Sequence, residues 1–158
     1  MPSGYYDLYA EAGSLFVIKL NFLDSNGETA KLHAAPYYIP EELKAIGWTT
    51  VNSITAVLQV KKKPTSGGTG SALIAFSSLP GTTTAGKINF VDASLNADGT
   101  PKSDHNILIY VPTIEGIETG THFYDLELTF NGGSGGTPSD IKLRILQGRF
   151  TITPQVTS

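Results

Sequence analysis

Tyr124-Asp125-Leu126-Glu127-Leu128-Thr129-Phe130 alternates without a fault: Tyr124, Leu126, Leu128 and Phe130 on one parity, Asp125, Glu127 and Thr129 on the other. Extended backbone sends successive side chains to opposite faces, so the apolar set lines one face and the polar set the other. A half-buried strand has this period and a helix does not. Toward the N-terminus the period recurs. Phe16, Ile18, Leu20 and Phe22 share a face opposite Val17, Lys19 and Asn21, and Ile54, Ala56, Leu58 and Val60 share another. Shorter candidates are Ala72–Phe76, Lys87–Val91 and Asn106–Val111. Toward the C-terminus, Ile141, Leu143 and Ile145 form one set, and Phe150 and Ile152 close the series. Gly148 interrupts this last strand, where a bulge is expected to bring Leu146 and Phe150 to the core together.

Turn chemistry punctuates the strands: Asp24-Ser25-Asn26-Gly27, Ser66–Gly70, Pro80-Gly81, Asp98-Gly99 and Gly132–Gly136. The last is read as a hairpin tip between two strands, not as a linker. One short helix is expected near 40–46, with Pro40 at its first position, Glu41 and Glu42 in its first turn and Gly47 ending it. The pattern predicts a single all-β domain spanning 1–158, an antiparallel β-sandwich of about 7–9 strands.

Composition narrows the function. Charged residues are 16% of the 158 and the net charge is -3, which gives no electrostatic footprint for nucleic acid. Lys61-Lys62-Lys63, the basic cluster, reads as a solvated strand end. There is no cysteine, so disulfides and thiolate metal sites are excluded. No apolar run approaches the roughly 20 residues of a membrane helix. The first residues lack the basic and apolar regions of a secretory signal, so synthesis in a host cytoplasm without export is expected.

No catalytic, cofactor or metal residues are expected. His33, His105 and His122 lack ligand spacing, and Asp24, Asp98 and Asp104 fall in turns that match no calcium loop. Asp125 and Glu127 lie two apart on one strand, as an exposed outward pair. Nucleophile-elbow and phosphate-loop motifs do not occur.

Aromatics gather in the first third: Tyr5, Tyr6, Tyr9, Tyr37, Tyr38 and Trp48. Such side chains fit a partner surface or a sugar platform, or, for Tyr9 and one of Tyr37 and Tyr38, the core. The segment His33–Asn52 also holds Ile39, Leu43 and Ile46, too apolar for a solvent loop. Either it folds back over one end of the sandwich, or Tyr37, Tyr38, Leu43, Ile46 and Trp48 dock on a neighbouring subunit. The second reading expects that a Gly-Ser linker in place of residues 36–48 leaves a folded monomer.

Three stretches carry a resemblance. They are Tyr9–Leu20 running into Asp24-Ser25-Asn26-Gly27, then Gly120–Leu128 with its Tyr124-Asp125-Leu126-Glu127-Leu128, and Arg144–Thr157 with Leu146-Gln147-Gly148 and Thr153-Pro154-Gln155-Val156-Thr157. In this order they resemble the small Ig-like tail and baseplate structural proteins of tailed bacteriophages, similar to the N-terminal Ig-like module of phage baseplate upper proteins. Residues 33–52 and 80–105 are longer than the connections usual in that group. The resemblance implies an Ig-like sandwich located in the virion, with other virion proteins as partners, many copies in a symmetric assembly, and neither nucleic acid nor membrane bound. A capsid decoration protein or a carbohydrate-binding module on the particle are the alternatives.

Overall fold

The computed structural model describes residues 4–62, 74–79, 86–115, 117–133 and 139–154. Among them are nine strands: β1 (Gly4–Tyr5), β2 (Leu8–Glu11), β3 (Phe16–Leu20), β4 (Thr50–Lys61), β5 (Ile74–Ser77), β6 (Gly86–Phe90), β7 (Ile107–Val111), β8 (Gly120–Gly133) and β9 (Ser139–Thr153). One helix, α1 (Glu41–Ala45), precedes β4. The protein is all-β. The expected turns Ser66–Gly70 and Pro80-Gly81 and the tip of the Gly132–Gly136 turn lie outside the described residues, although Gly132 and Gly133 belong to β8.

The alternation seen in the sequence becomes one interior. Leu126, Leu128 and Phe130 of β8, Leu58 and Val60 of β4, and Phe150 of β9 are fully buried. Their polar neighbours, Asp125, Glu127, Gln59 and Arg149, share the opposite parity and the outer surface. The hydrogen-bonded order is β1-β9-β8-β4-β5-β6-β7-β3, with β2 also on β9. Phe16, on the strand ending that order, packs against Phe150 with ring centroids 5.1 Å apart and against Phe76 at 5.8 Å. Strands from opposite ends of the order can meet in this way only because the sheet curls around its apolar face.

Two expectations are corrected. The sheet is mixed, not purely antiparallel: β1 and β2 run parallel to β9, and β5 runs parallel to β6 over Phe76–Ser77. That short contact also joins what were expected as two separate sheets into one continuous path. The bulge in β9 is at Ile145 and not at Gly148. Leu126 faces Leu146 while Glu127 faces Arg144, which leaves Ile145 as the extra residue. The reason is parity. Leu143 faces Leu128 and Phe150 faces His122, and one extra residue is needed to put odd-numbered Leu143 and even-numbered Phe150 on the same face. Leu146 and Phe150 already share parity.

Gly148 serves a different purpose. A side chain there would collide with the carbonyl oxygen of Tyr6, where the N-terminal segment runs beside β9 between β1 and β2. The Tyr124 hydroxyl donates to that same carbonyl at 2.6 Å. Just beyond β2 the chain changes partners: Ala12 N–H still donates to Thr153, but Gly13 N–H donates to Ile114, beyond β7. Gly13 has φ +80°, the left-handed backbone that glycine adopts without strain.

Candidate functional site

Two regions compete for the part of a binding surface. The first is the segment before β4. Pro40 caps α1 in extended conformation instead of occupying its first helical position. At the other end Gly47, at φ +97°, donates to Lys44 and Trp48 donates to Leu43, closing a paired C-terminal cap. Leu43 (2% exposed) and Trp48 (7%) therefore belong to the chain's own core. Tyr37, Tyr38 and Ile39 pack partly buried against that core, and the Tyr38 ring meets Phe22 edge-on at 5.8 Å. Burial, with Glu42 nearby, raises the pKa of the Tyr38 hydroxyl. Ile46, by contrast, is 64% exposed. The segment thus folds back over the sheet. Of its five expected partner-binding residues, Leu43 and Trp48 are not available to a partner. Trp48 is no sugar platform either.

Three further exposed aromatics, Tyr5, Tyr6 and Tyr9, lie along β1 and β2, so Tyr9 is not core. Tyr5 borders the second region, a cleft of about 350 Å³ on the outer face of β9, β8 and β4. Its aromatic walls are Tyr5 and Phe123. Its cations are Lys61, Arg144 and Arg149, its amides Gln59 and Gln147, and its acid Asp125. The Arg144 guanidinium is held over the cleft by Asp125 at 3.6 Å and by Gln147 at 3.4 Å. Among the described residues, Lys61 and Arg149 have no carboxylate within ion-pair distance. A second depression of about 170 Å³ continues along the same face, sharing Gln59 and Asp125 and adding Glu127 and Lys142.

Sequence reasoning did not find this cleft. The outward parity of β8 reads as a solvated face, yet Asp125, with a side chain 23% exposed, is more covered than an outward pair should be. One signal was present: Phe123 is an aromatic on the polar parity, next to Tyr124 on the apolar one.

The histidines are placed separately. His33 lies 3.6 Å from Asp92, His105 bonds to Asp104 and Ser103, and buried His122 bonds to the Glu118 carbonyl at 2.7 Å. Lys62, beside the end of β4, makes an exposed contact with Glu118 of the kind that contributes little. Lys63 lies outside the described residues. No known protein family, curated protein or solved structure matches the chain.

Proposed function

We propose that this chain is a virion structural protein, an Ig-like assembly and adaptor module in the tail or baseplate of a tailed phage, with other virion proteins as partners and no catalytic role. One observation carries the reading. Parts of the stretches that resemble the phage group, far apart in sequence, meet in the fold: Tyr9, Ala10 and Glu11 of β2 lie parallel to β9, β9 lies antiparallel to β8, and Phe16 of β3, a strand paired with β7, packs on Phe150 of β9. The strand order supports an Ig-like reading as well. The hydrogen-bonded path runs from β9 through β8 and β4 to β5 and on through β6 and β7 to β3, and the first strands run parallel to the last. For contact with neighbours the module offers Ile46 beside α1 and the tyrosines of β1 and β2, all well exposed.

The test is location in purified particles. Mass spectrometry of the particle and immunogold labelling are expected to find the chain in many copies at the tail or baseplate. Labelling confined to the head would replace tail with capsid decoration, and absence from washed particles would end the virion reading.

A further inference from the structure

We infer that the cleft over β9, β8 and β4 is a binding site for an acidic saccharide, with the sugar ring against Phe123 and Tyr5 and the acid group reaching Arg149 or Lys61, which flank Phe123 in one cross-strand row. The inference does not depend on where in a particle the chain sits. The cleft gathers positive charge. Three cations and one acid line the cleft of a chain whose net charge is -3, and one of the three, Arg144, is already engaged by Asp125. Arg149 and Lys61 are left to meet an anion, and guanidinium bonds to carboxylates and similar planar anions are the strong, directional kind.

The groups in the cleft are also of mixed kind. Aromatic faces, two amides, a carboxylate and cations in one hollow supply apolar contact, donors and acceptors together, as a ring bearing hydroxyls and an acid requires. The volume, about 350 Å³, falls at the small end of ligand clefts, which span roughly 300–1,000 Å³. The adjoining depression, shared through Gln59 and Asp125, extends the trough for a second sugar unit.

The backbone beneath the cleft favours a saccharide over an acidic peptide. Extended peptides are usually captured by the free backbone of a sheet edge. Here β8 and β9 are both paired on each side, β8 between β4 and β9, and β9 between β8 and the N-terminal strands. Their backbone groups are spent in the ladder. Recognition falls to side chains, and the cleft lies on a rigid face whose shape is set by the core beneath it.

The experiment uses the full chain, followed by amide NMR and calorimetry, with three probes: a disaccharide containing glucuronic acid, its neutral glucose counterpart and a short Glu-rich peptide. The acidic disaccharide is expected to shift the resonances of Gln59, Phe123, Gln147 and Arg149 and to bind about tenfold or more tightly than the neutral one, the factor one charge-assisted contact supplies. Arg149→Gln and Phe123→Ser are each expected to weaken it by about tenfold while the core resonances stay in place. Arg149 is exposed, so the first variant keeps the test valid should the second perturb folding. Equal binding of the neutral sugar, or absence of shifts at the cleft, overturns the inference. Tighter binding of the peptide than of the acidic sugar overturns it in favour of a protein partner.

Discussion

Gly148 shows how much one residue can hold. Its missing side chain lets the Tyr6 carbonyl reach β9, and the Tyr124 hydroxyl, beside the same site, fastens that carbonyl. Burial raises the Tyr124 pKa, with Asp7 adding to the shift, so the phenol stays protonated and donating at any ordinary pH. Gly148→Ala is therefore expected to release the N-terminal segment. Hydrogen exchange would find residues 4–10 losing protection while β8 retains its own, and unchanged protection at 4–10 would mean the segment can shift to make room. Asp92 gives a second residue-scale expectation. Its pKa is depressed well below the usual carboxylate range, first by the Ser94 hydroxyl, then by the Ser94 N–H, with Lys102 a smaller cause. A carboxylate depressed in the folded state binds fewer protons folded than unfolded, so it stabilises above the unfolded pKa and loses that contribution as acid protonates it. Carboxyl NMR titration should show Ser94→Ala moving the Asp92 midpoint upward more than Lys102→Met does. The reverse order would make the ion pair, not the hydrogen bonds, the cause. Neither arrangement was legible in the sequence. Gly148 looked like a bulge because a glycine in a strand has two common uses, and only the register of the N-terminal strands separates them.

At the scale of elements, the same device appears twice. After β3, Asp24 N–H donates to Glu28 and Gly27 turns at φ +79°; after β6, Asn96 donates to Thr100 and Gly99 turns at φ +88°. Both strands flank β7, and Asn106, buried just before β7, binds the first hairpin through Phe22 and Ala30 while its carbonyl accepts from Val91. These turns were legible, because Asn-Gly and Asp-Gly announce positive φ locally. The long strands were legible for a similar reason, since period-two patterning needs no knowledge of partners. The segment before β4 was legible only in part. Its apolar content demanded cover, but whether the cover is the chain itself or a neighbour depends on contacts that sequence spacing does not encode. With Leu43 2% exposed, Leu43→Ala is expected to cost about 2–5 kcal/mol in chemical denaturation, in the range of buried leucine truncations. A Gly-Ser linker over 36–48 should then unfold the protein, in place of the folded monomer expected from the sequence. Ile46→Ser, at a side chain 64% exposed, should change stability by less than about 0.5 kcal/mol. If Leu43→Ala were harmless, the helix would not be part of the core.

For the whole molecule, the question is what the first strands contribute to a sheet assembled almost entirely from later ones. β2 places Leu8 (4% exposed) and Ala10 (8%) in the core and covers the edge of β9 with a four-residue parallel ladder. The handover at Gly13 then ties that edge to the far end of the strand order, so the N-terminal segment fastens the curled sheet along its seam. Burying a leucine is worth about 1.5–3 kcal/mol, and the ladder bonds add to it at about 1 kcal/mol each before the entropy of ordering the strand is subtracted. Removing residues 1–12 should therefore leave a folded but weakened protein, its melting temperature lower by about 10 °C, since near this size 1 kcal/mol shifts melting by roughly 2–4 °C. The uncovered edge of β9 should exchange its amides faster. Because the edge of β9 on which β2 docks remains in the shortened chain, a synthetic peptide of residues 1–12 added in excess should restore stability by mass action. The same peptide carrying Leu8→Gly should restore much less, which separates docking of the apolar side chain from mere β-pairing along an open edge. If the truncated chain melts as the intact one does, β2 is an ornament on a closed sheet. If the truncated chain does not fold at all, the seam is part of the nucleus, and the apolar face of β8, β9 and β4 cannot hold its curl without it.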